Sequence, residues 1–162
     1  MTAPNYPPFM FAYGSISAVF AKIQSHDVPE IFTHDFLRFT LGFSRESDRA
    51  FIPLAKRTGL LTTDGVPTEL YRRLRDPAQA AAVVAEGMKL GFVMFYAKDP
   101  DVQKLDRKAL AALVADVTGM ELGHPSARAI MGTYLALKTF AGPRVETERV
   151  DNRRKVLERR SR

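Results

Sequence analysis

The spacing of apolar residues along the chain predicts a mostly helical protein. Apolar side chains recur at three- and four-residue intervals, which places them on one face of a helix. The first such helix follows Ser15, its expected N-cap, and ends before Pro29. A second helix is expected between Thr33 and Gly42. Further helices are predicted over residues 45–58, 68–75, 76–97, 106–118 and 125–141.

Residues 32–74 predict a helix-turn-helix followed by a short β-hairpin. Segment 45–58 is amphipathic, because at about 100° per residue Arg45, Arg49 and Lys56 share an arc of about 40° opposite its apolar side chains. Asp64 and Gly65 form the dipeptide that is a strong signal for a tight hairpin. This order of elements is typical of winged-helix modules, which present one helix and a hairpin to a partner, most often duplex DNA.

The second half of the chain predicts a packed set of helices. Asp76 and Pro77, a cap followed by a first-turn proline, open the predicted helix over 76–97. Gly87 and Gly91 lie one turn apart on its inner face, where they let another helix approach closely at a cost of about 1 kcal/mol each relative to Ala. We expect one domain over residues 1–141, with a winged-helix-like core at 14–75, a helical extension at 76–141 and a basic charged tail at 142–162.

Five stretches of the sequence are distinctive when taken together: FAYGSI, VPEIFTHDFL, AFIPLAKRTGLL, DGVPTELYRRLRDPAQ and SARAIMGTYLALKTFA. Through them the chain resembles a family of uncharacterised bacterial and archaeal proteins that is grouped with winged-helix DNA-binding folds. The resemblance covers residues 11–141. It implies a winged-helix-like first half and a helical second half, and it implies neither a reaction nor particular site residues.

Charge and composition narrow the class of partner. The chain has 162 residues and a net charge of +6, and residues 143–162 hold 8 Lys and Arg against 4 Asp and Glu. A basic excess suits an anionic partner such as nucleic acid. Cysteine is absent, which excludes disulfides and thiolate metal sites and fits a cytoplasmic location. The first 14 residues have prolines within their apolar part and no basic start, so we expect neither a signal peptide nor a membrane span.

The outer face of segment 45–58 is the candidate DNA-binding surface. Arg45, Arg49 and Lys56 are expected to contact duplex DNA, because a helix with cations outside and apolar residues inside can enter the major groove. The alternative is that these cations keep an exposed helix soluble, or that the module docks a protein. Pro53 inside the segment, two acidic neighbours and a hairpin tip without Lys or Arg argue against strong binding.

A second basic cluster follows the predicted hairpin. Arg72, Arg73 and Arg75, together with Arg57, are candidates for DNA phosphate contacts. The alternative is an ordinary exposed helix end, where cations are favoured by the helix dipole. The tail at 142–162 either adds nonspecific attraction to nucleic acid or is a plain solvated segment, since acidic residues alternate with its cations.

Candidate catalytic chemistry is sparse, and we expect no enzymatic activity. The 3 histidines stand at no metal-ligand spacing, and His34 beside Asp35 fits a polar helix start better than a metal ligand. Ser15 lies in GSIS, which lacks the second glycine of a nucleophile elbow. Neither a phosphate-binding loop nor a dinucleotide fingerprint occurs. The expected cofactors and metals are therefore none.

A protein-interaction or assembly module is the competing function. In that case the glycine-lined face of the helix over 76–97, or the surface around Met88, Phe92 and Tyr96, docks another protein or a second copy of the chain. Glycines allow close approach of a partner helix, and Met and aromatic residues are enriched at the centres of interfaces. A homodimer without affinity for DNA would favour this function.

Overall fold

In a computed structural model, which describes residues 6–141, the chain consists of helices and turns. The predicted tail at 142–162 lies outside the described residues. Short 3-10 helices precede the first two α-helices, at Tyr13–Ser15 and Glu46–Ala50, and a π-helical turn spans Phe36–Thr40. The α-helices in the described range are α1 (Ile16–Ser25), α2 (Phe51–Arg57), α3 (Glu69–Leu74), α4 (Ala80–Gly91), α5 (Val93–Lys98), α6 (Arg107–Thr118) and α7 (Pro125–Ala141).

Helices α4 and α7 form the centre of the packing. α7 lies against α1, α4 and α6, while α4 also contacts α2, α3 and α5. One continuous hydrophobic core therefore joins both halves of the chain. None of the helices described between residues 6 and 141 is long and apolar enough to cross a membrane.

Several helix ends follow the local signals of the sequence. The Thr33 hydroxyl accepts a hydrogen bond from the Phe36 N–H at 3.0 Å, and the Asp106 carboxylate accepts one from the Ala109 N–H at 2.8 Å. Gly119 ends α6 with a φ of +73°, in the left-handed region that favours glycine. The predicted caps and stops at these positions are confirmed.

Ser15 precedes α1 as expected, but its side chain makes no capping hydrogen bond. Its hydroxyl instead accepts a hydrogen bond from the guanidinium of Arg45. Ser15 thus stands at the predicted N-cap position without the capping bond, because its backbone is already helical, with φ −82° and ψ −13°, and continues from the 3-10 helix at Tyr13–Ser15.

The predicted helix over 45–58 is two elements rather than one. The 3-10 helix at Glu46–Ala50 leads into α2, which begins only at Phe51. Pro53 is thus the third residue of α2. The first four backbone N–H groups of an α-helix have no partner within the helix, so a proline there removes no hydrogen bond. The late start of α2 explains how the sequence tolerates Pro53.

The predicted β-hairpin is reduced to a turn with a single bridge. Leu61 and Pro67 form an isolated antiparallel bridge, and the structure has no β-strand anywhere between residues 6 and 141. Hydrogen bonds from Thr62 N–H to the Val66 carbonyl (2.8 Å) and from Thr68 N–H to the Leu60 carbonyl (3.0 Å) close the turn. Pro67 has no N–H to donate, so the ladder cannot extend through it. The prediction of a β-hairpin built from strands is therefore wrong.

The predicted long helix over 76–97 is wrong at both its start and its middle. Residues 76–79 form a turn in which the Asp76 carboxylate accepts from the Ala78 N–H at 3.0 Å, and α4 begins at Ala80. Phe92 then separates α4 from α5. The break follows Gly91, a residue that weakens helix by about 1 kcal/mol relative to Ala.

The break lies at an aromatic cluster in the core. Phe92 is 0% exposed, and its ring centroid lies 5.4 Å from that of Phe95 and 5.3 Å from that of Tyr134. Burial raises the pKa of Tyr134 well above its usual value, and the nearby Tyr96 hydroxyl adds to the shift. Met88 is also buried. The expected docking surface around Met88 and Phe92 is therefore wrong, because both side chains belong to the core.

The predicted role of Gly87 and Gly91 as packing residues is confirmed. A Cβ at Gly87 would lie 2.9 Å from the backbone carbonyl oxygen of Thr58, and a Cβ at Gly91 would lie 3.0 Å from the Thr58 side chain. Both glycines therefore let α4 approach the end of α2. The Thr58 hydroxyl donates to the Leu54 carbonyl at 2.9 Å, which holds this buried side chain against its own helix.

Replacing Gly87 with alanine is expected to lower the free energy of unfolding by about 1 kcal/mol. Alanine gains about 1 kcal/mol of helix propensity, but forcing a methyl group against the rigid Thr58 backbone costs about 1–3 kcal/mol. Gly14 is a matched control, since its Cβ would meet no atom within 4 Å. Urea unfolding should show a loss for G87A and little change for G14A; a stabilised G87A would contradict the close contact.

Candidate nucleic-acid interface

The solvent side of α2 and the turn before it forms a narrow basic ridge. Phe51, Ile52, Leu54 and Ala55 are all buried, so only a stripe of the helix reaches solvent. We call this stripe the α2 ridge, and its exposed residues are Arg49, Pro53, Lys56 and Arg57. Within α2, Pro53 lies three residues from Lys56 and four from Arg57, which keeps these residues on one side, while Arg49 belongs to the 3-10 helix just before α2. Lys56 and Arg57 therefore share one exposed face, and Arg49 is exposed directly before it.

Arg45 stands at the start of this ridge but is held by an ion pair. Its guanidinium donates two hydrogen bonds to the Asp48 carboxylate, each at 3.2 Å, and one to the Ser15 hydroxyl. Asp48 is 1% exposed, whereas the Arg45 side chain is 66% exposed. A buried carboxylate needs such a partner, because an unpaired buried charge is strongly unfavourable. Through these hydrogen bonds Arg45 links the 3-10 helix at Glu46–Ala50 to the start of α1.

The other ridge cations have looser partners. Arg49 lies 4.0 Å from the Glu46 carboxylate, and both side chains are largely exposed. Exposed ion pairs of this kind contribute at most about 1 kcal/mol and exchange readily with solvent. Arg57 donates to the Tyr6 carbonyl at 3.3 Å. Lys56 makes no hydrogen bond or ion pair with the residues that the structure describes.

The turn after α2 offers little to an anion. Thr62, Thr63 and Asp64 are exposed at its tip, where no Lys or Arg stands. The Thr62 hydroxyl accepts from the Val66 N–H at 3.1 Å, and the Gly65 carbonyl accepts from the Phe32 N–H at 2.8 Å. The contact with Phe32 holds the turn against the segment before the π-helical turn. The Thr62 hydroxyl is engaged in a hydrogen bond within the turn itself.

The second predicted cluster is divided between different neighbours. Arg73 donates to Gln79 and to the Glu86 carboxylate, each at 3.0 Å, and so joins α3 to α4. Arg75 donates to the His26 carbonyl at 3.0 Å. Arg72 is exposed on α3.

A family model for a family of unknown function, DUF5343, matches residues 8–148. The chain belongs to this family. The expectation of an uncharacterised family is thus confirmed over nearly the whole described range. Searches among curated proteins and among solved structures gave no match.

The DUF5343 chain shows no metal-binding cluster within the described range. No group of three or more His, Asp or Glu side chains is placed to hold a metal ion between residues 6 and 141. His34 is exposed beside the Thr33 cap, and the His124 Nδ1 accepts from the Ser126 N–H at 3.1 Å. Both histidines thus lie at helix starts, as the prediction for His34 required.

The DUF5343 chain also has a cleft that the sequence did not predict. It encloses about 300 Å³ along one face of α7, where Arg128, Gly132 and Leu135 form part of its wall. Arg107 from α6 and Tyr13 from the N-terminal segment complete it. The sequence signal is an i, i+4, i+7 stripe on α7 opposite its buried stripe, but the two other contributors come from distant positions.

Proposed function

We propose that this protein is a duplex-DNA-binding module of winged-helix type, with the α2 ridge as its contact surface. The observation that carries the proposal is that Lys56 and Arg57 on α2, and Arg49 in the 3-10 helix before it, are all exposed while the apolar side chains of α2 are buried. Cations on one exposed face can meet successive phosphates of a duplex, and phosphate contacts supply most nonspecific affinity. The proposed function is binding alone and includes no catalytic step.

The arrangement of elements supports a winged-helix type of module in a reduced form. The π-helical turn at Phe36–Thr40, the turn through Gly42 and the segment ending in α2 follow one another as in a helix-turn-helix. The closed turn over 60–68 stands where a wing would follow the second helix. Since its tip lacks cations, the α2 ridge carries the proposed contact alone.

Arg45 has a different role from the other cations in this proposal. Its two hydrogen bonds to buried Asp48 make it a residue that positions the ridge. Its outward part still adds positive charge at the start of the ridge, since the side chain is 66% exposed. Substitutions that test DNA contact should therefore spare Arg45 and change Arg49 and Lys56.

The first test is the salt dependence of binding to a fluorescent DNA duplex, measured by anisotropy with the full chain. If Arg45, Arg49, Lys56 and Arg57 each neutralise one phosphate, the slope of log K against log salt is about −3.6. Affinity should then fall roughly 150-fold between about 50 and 200 mM salt. Absence of association at low salt would contradict the proposal.

The double substitution Arg49→Glu and Lys56→Glu is expected to make the slope of log K against log salt shallower, at about −1.8, because two phosphate contacts are lost. Lys108→Glu, on an exposed position of α6, is the matched control and should leave the slope unchanged. Deletion of residues 142–162 separates the ridge from the tail. If that deletion alone abolishes binding, the site is the tail and the α2 ridge is wrong.

A protein-docking function is the second candidate, and one observation favours it. Leu90 and Val93 are each more than half exposed at the junction of α4 and α5, beside the exposed Lys89. Apolar side chains next to each other on a surface are suited to a protein partner. Light scattering that shows a dimer, disrupted by Leu90→Glu and Val93→Glu, together with no DNA binding, would favour this function.

A further inference from the structure

The cleft on α7 is a groove along three turns of one helix face. Arg128, Met131, Gly132 and Leu135 belong to this stripe, and Arg107 closes the groove from the start of α6. Because a short connection joins α6 to α7, the two helices run antiparallel. The start of α6 therefore lies beside the last turns of α7, and the two arginines lie toward opposite ends of the groove.

The lining of the cleft combines two cations and the hydroxyl-bearing Thr139 with apolar side chains. Its residues include Arg107 and Arg128 but no Asp or Glu. Within residues 6–141 neither guanidinium forms an ion pair or a side-chain hydrogen bond. Arginine presents a planar fork of donors that matches carboxylate and phosphate groups. The charge of the cleft thus complements an anion.

Tyr13 and Gly132 give the cleft its shape. A Cβ at Gly132 would lie 2.5 Å from the Tyr13 ring, so the ring rests directly on the backbone of α7. Only glycine permits this contact. The ring forms one side of the groove, and Met131 and Leu135 continue its apolar surface along α7. Polar and apolar groups thus both face the groove, so a ligand with one charged end and one apolar part can contact both.

We propose that this cleft binds a small organic anion. Its carboxylate or phosphate pairs with Arg107 or Arg128, and its alkyl or aromatic body lies against Tyr13, Met131 and Leu135. The volume of about 300 Å³ is at the lower end of the range for small-molecule sites, which favours a compact ligand. The proposal does not depend on DNA binding, since no residue of the α2 ridge lines the cleft.

The test is calorimetric titration of the full chain with 4-phenylbutyrate, its neutral amide, phenyl phosphate and inorganic phosphate. At least one of 4-phenylbutyrate and phenyl phosphate should bind. The compound that binds more tightly indicates whether the cleft prefers a carboxylate or a phosphate. The amide should bind at least about tenfold more weakly, because it lacks the charge. Inorganic phosphate alone should bind weakly, since it lacks the apolar body. Equal binding of carboxylate and amide would overturn the proposal.

Matched variants then place the site. Arg107→Gln and Arg128→Gln remove one charge each from exposed positions, and at least one should weaken binding about tenfold. Arg38→Gln is the control, because Arg38 is exposed, stacks on Phe39 and does not line the cleft. Tyr13→Ala should weaken both the carboxylate and the amide. No heat from any probe up to about 5 mM, or binding unchanged in both cleft variants, would overturn the proposal.

Discussion

Replacing Arg45 with methionine is expected to lower the free energy of unfolding by about 3 kcal/mol. The substitution leaves the Asp48 carboxylate, which is 1% exposed, without the guanidinium that donates two hydrogen bonds to it. Removing one partner of a buried pair costs about 3–5 kcal/mol. The lower end applies here because the Arg45 side chain is itself 66% exposed. Urea unfolding followed by circular dichroism measures the loss.

Two further variants distinguish this account from a general effect of losing a surface charge. Arg49→Met removes a neighbouring cation whose partner, Glu46, is exposed, so it should change stability by less than about 0.5 kcal/mol. The double variant Arg45→Met with Asp48→Leu leaves no charge buried and unpaired, so it should be more stable than R45M alone. Equal stability of R45M and R49M would show that the ion pair contributes nothing.

The expected instability of R45M bears directly on how DNA binding is assigned. The free energy of unfolding of a domain is roughly 5–15 kcal/mol in total, so a variant that loses about 3 kcal/mol of it loses much of its stability. Loss of binding on substituting Arg45 would then report displacement of the ridge as much as loss of a phosphate contact. Arg49 and Lys56 do not have this difficulty, because their side chains are exposed and loosely partnered.

The parts of the fold that the sequence predicted are those that local chemistry determines. Thr33, Thr68 and Asp106 cap helices because a side-chain oxygen reaches an N–H three residues later, a relation contained within a few residues. The glycine stops at Gly42 and Gly119 also depend on one residue's backbone conformation. Helix existence and many helix ends were therefore predictable from the sequence.

Some of the errors have a cause within the same few residues, and others arise where a distant residue decides the local structure. Asp-Gly favoured a hairpin, but Pro67 on the return side and the hydrogen bond from Phe32 to Gly65 hold a closed turn instead. Ser15 makes no capping hydrogen bond, and its hydroxyl instead accepts from Arg45, thirty positions along the chain. Propensity is a weak prior that tertiary contacts override, and these contacts cannot be read from a local window.

The candidate sites divide in the same way. Arg45, Arg49 and Lys56 were predicted to share the outer face of one helix, and all three are exposed, as the pattern of apolar residues indicated. Arg45 and Arg49 nevertheless come before α2 begins, so one helical period does not relate them to Lys56. The cleft was not predicted, because Tyr13, Arg107 and Arg128 come together only when the N-terminal segment, α6 and α7 pack. The sequence alone does not show which apolar and basic residues, far apart in the chain, become neighbours in the fold.

Replacing Phe92 with alanine is expected to produce the largest loss of stability, about 4 kcal/mol. The ring is 0% exposed and packs against those of Phe95 and Tyr134, so its removal leaves a cavity in the core beside α7. Truncating a buried phenylalanine costs about 3–5 kcal/mol, because lost burial and the cavity add together. In a domain of this size the melting temperature should fall by roughly 10 °C.

Val93 is the matched control, since it adjoins Phe92 in the chain but is 58% exposed. Val93→Ala should change stability by less than about 0.5 kcal/mol. The pair of variants also decides which face of the α4–α5 junction is open to a partner. A large loss for F92A and none for V93A restricts any docking contact here to exposed side chains such as Leu90 and Val93. A loss below about 1 kcal/mol for F92A would contradict its place in the core.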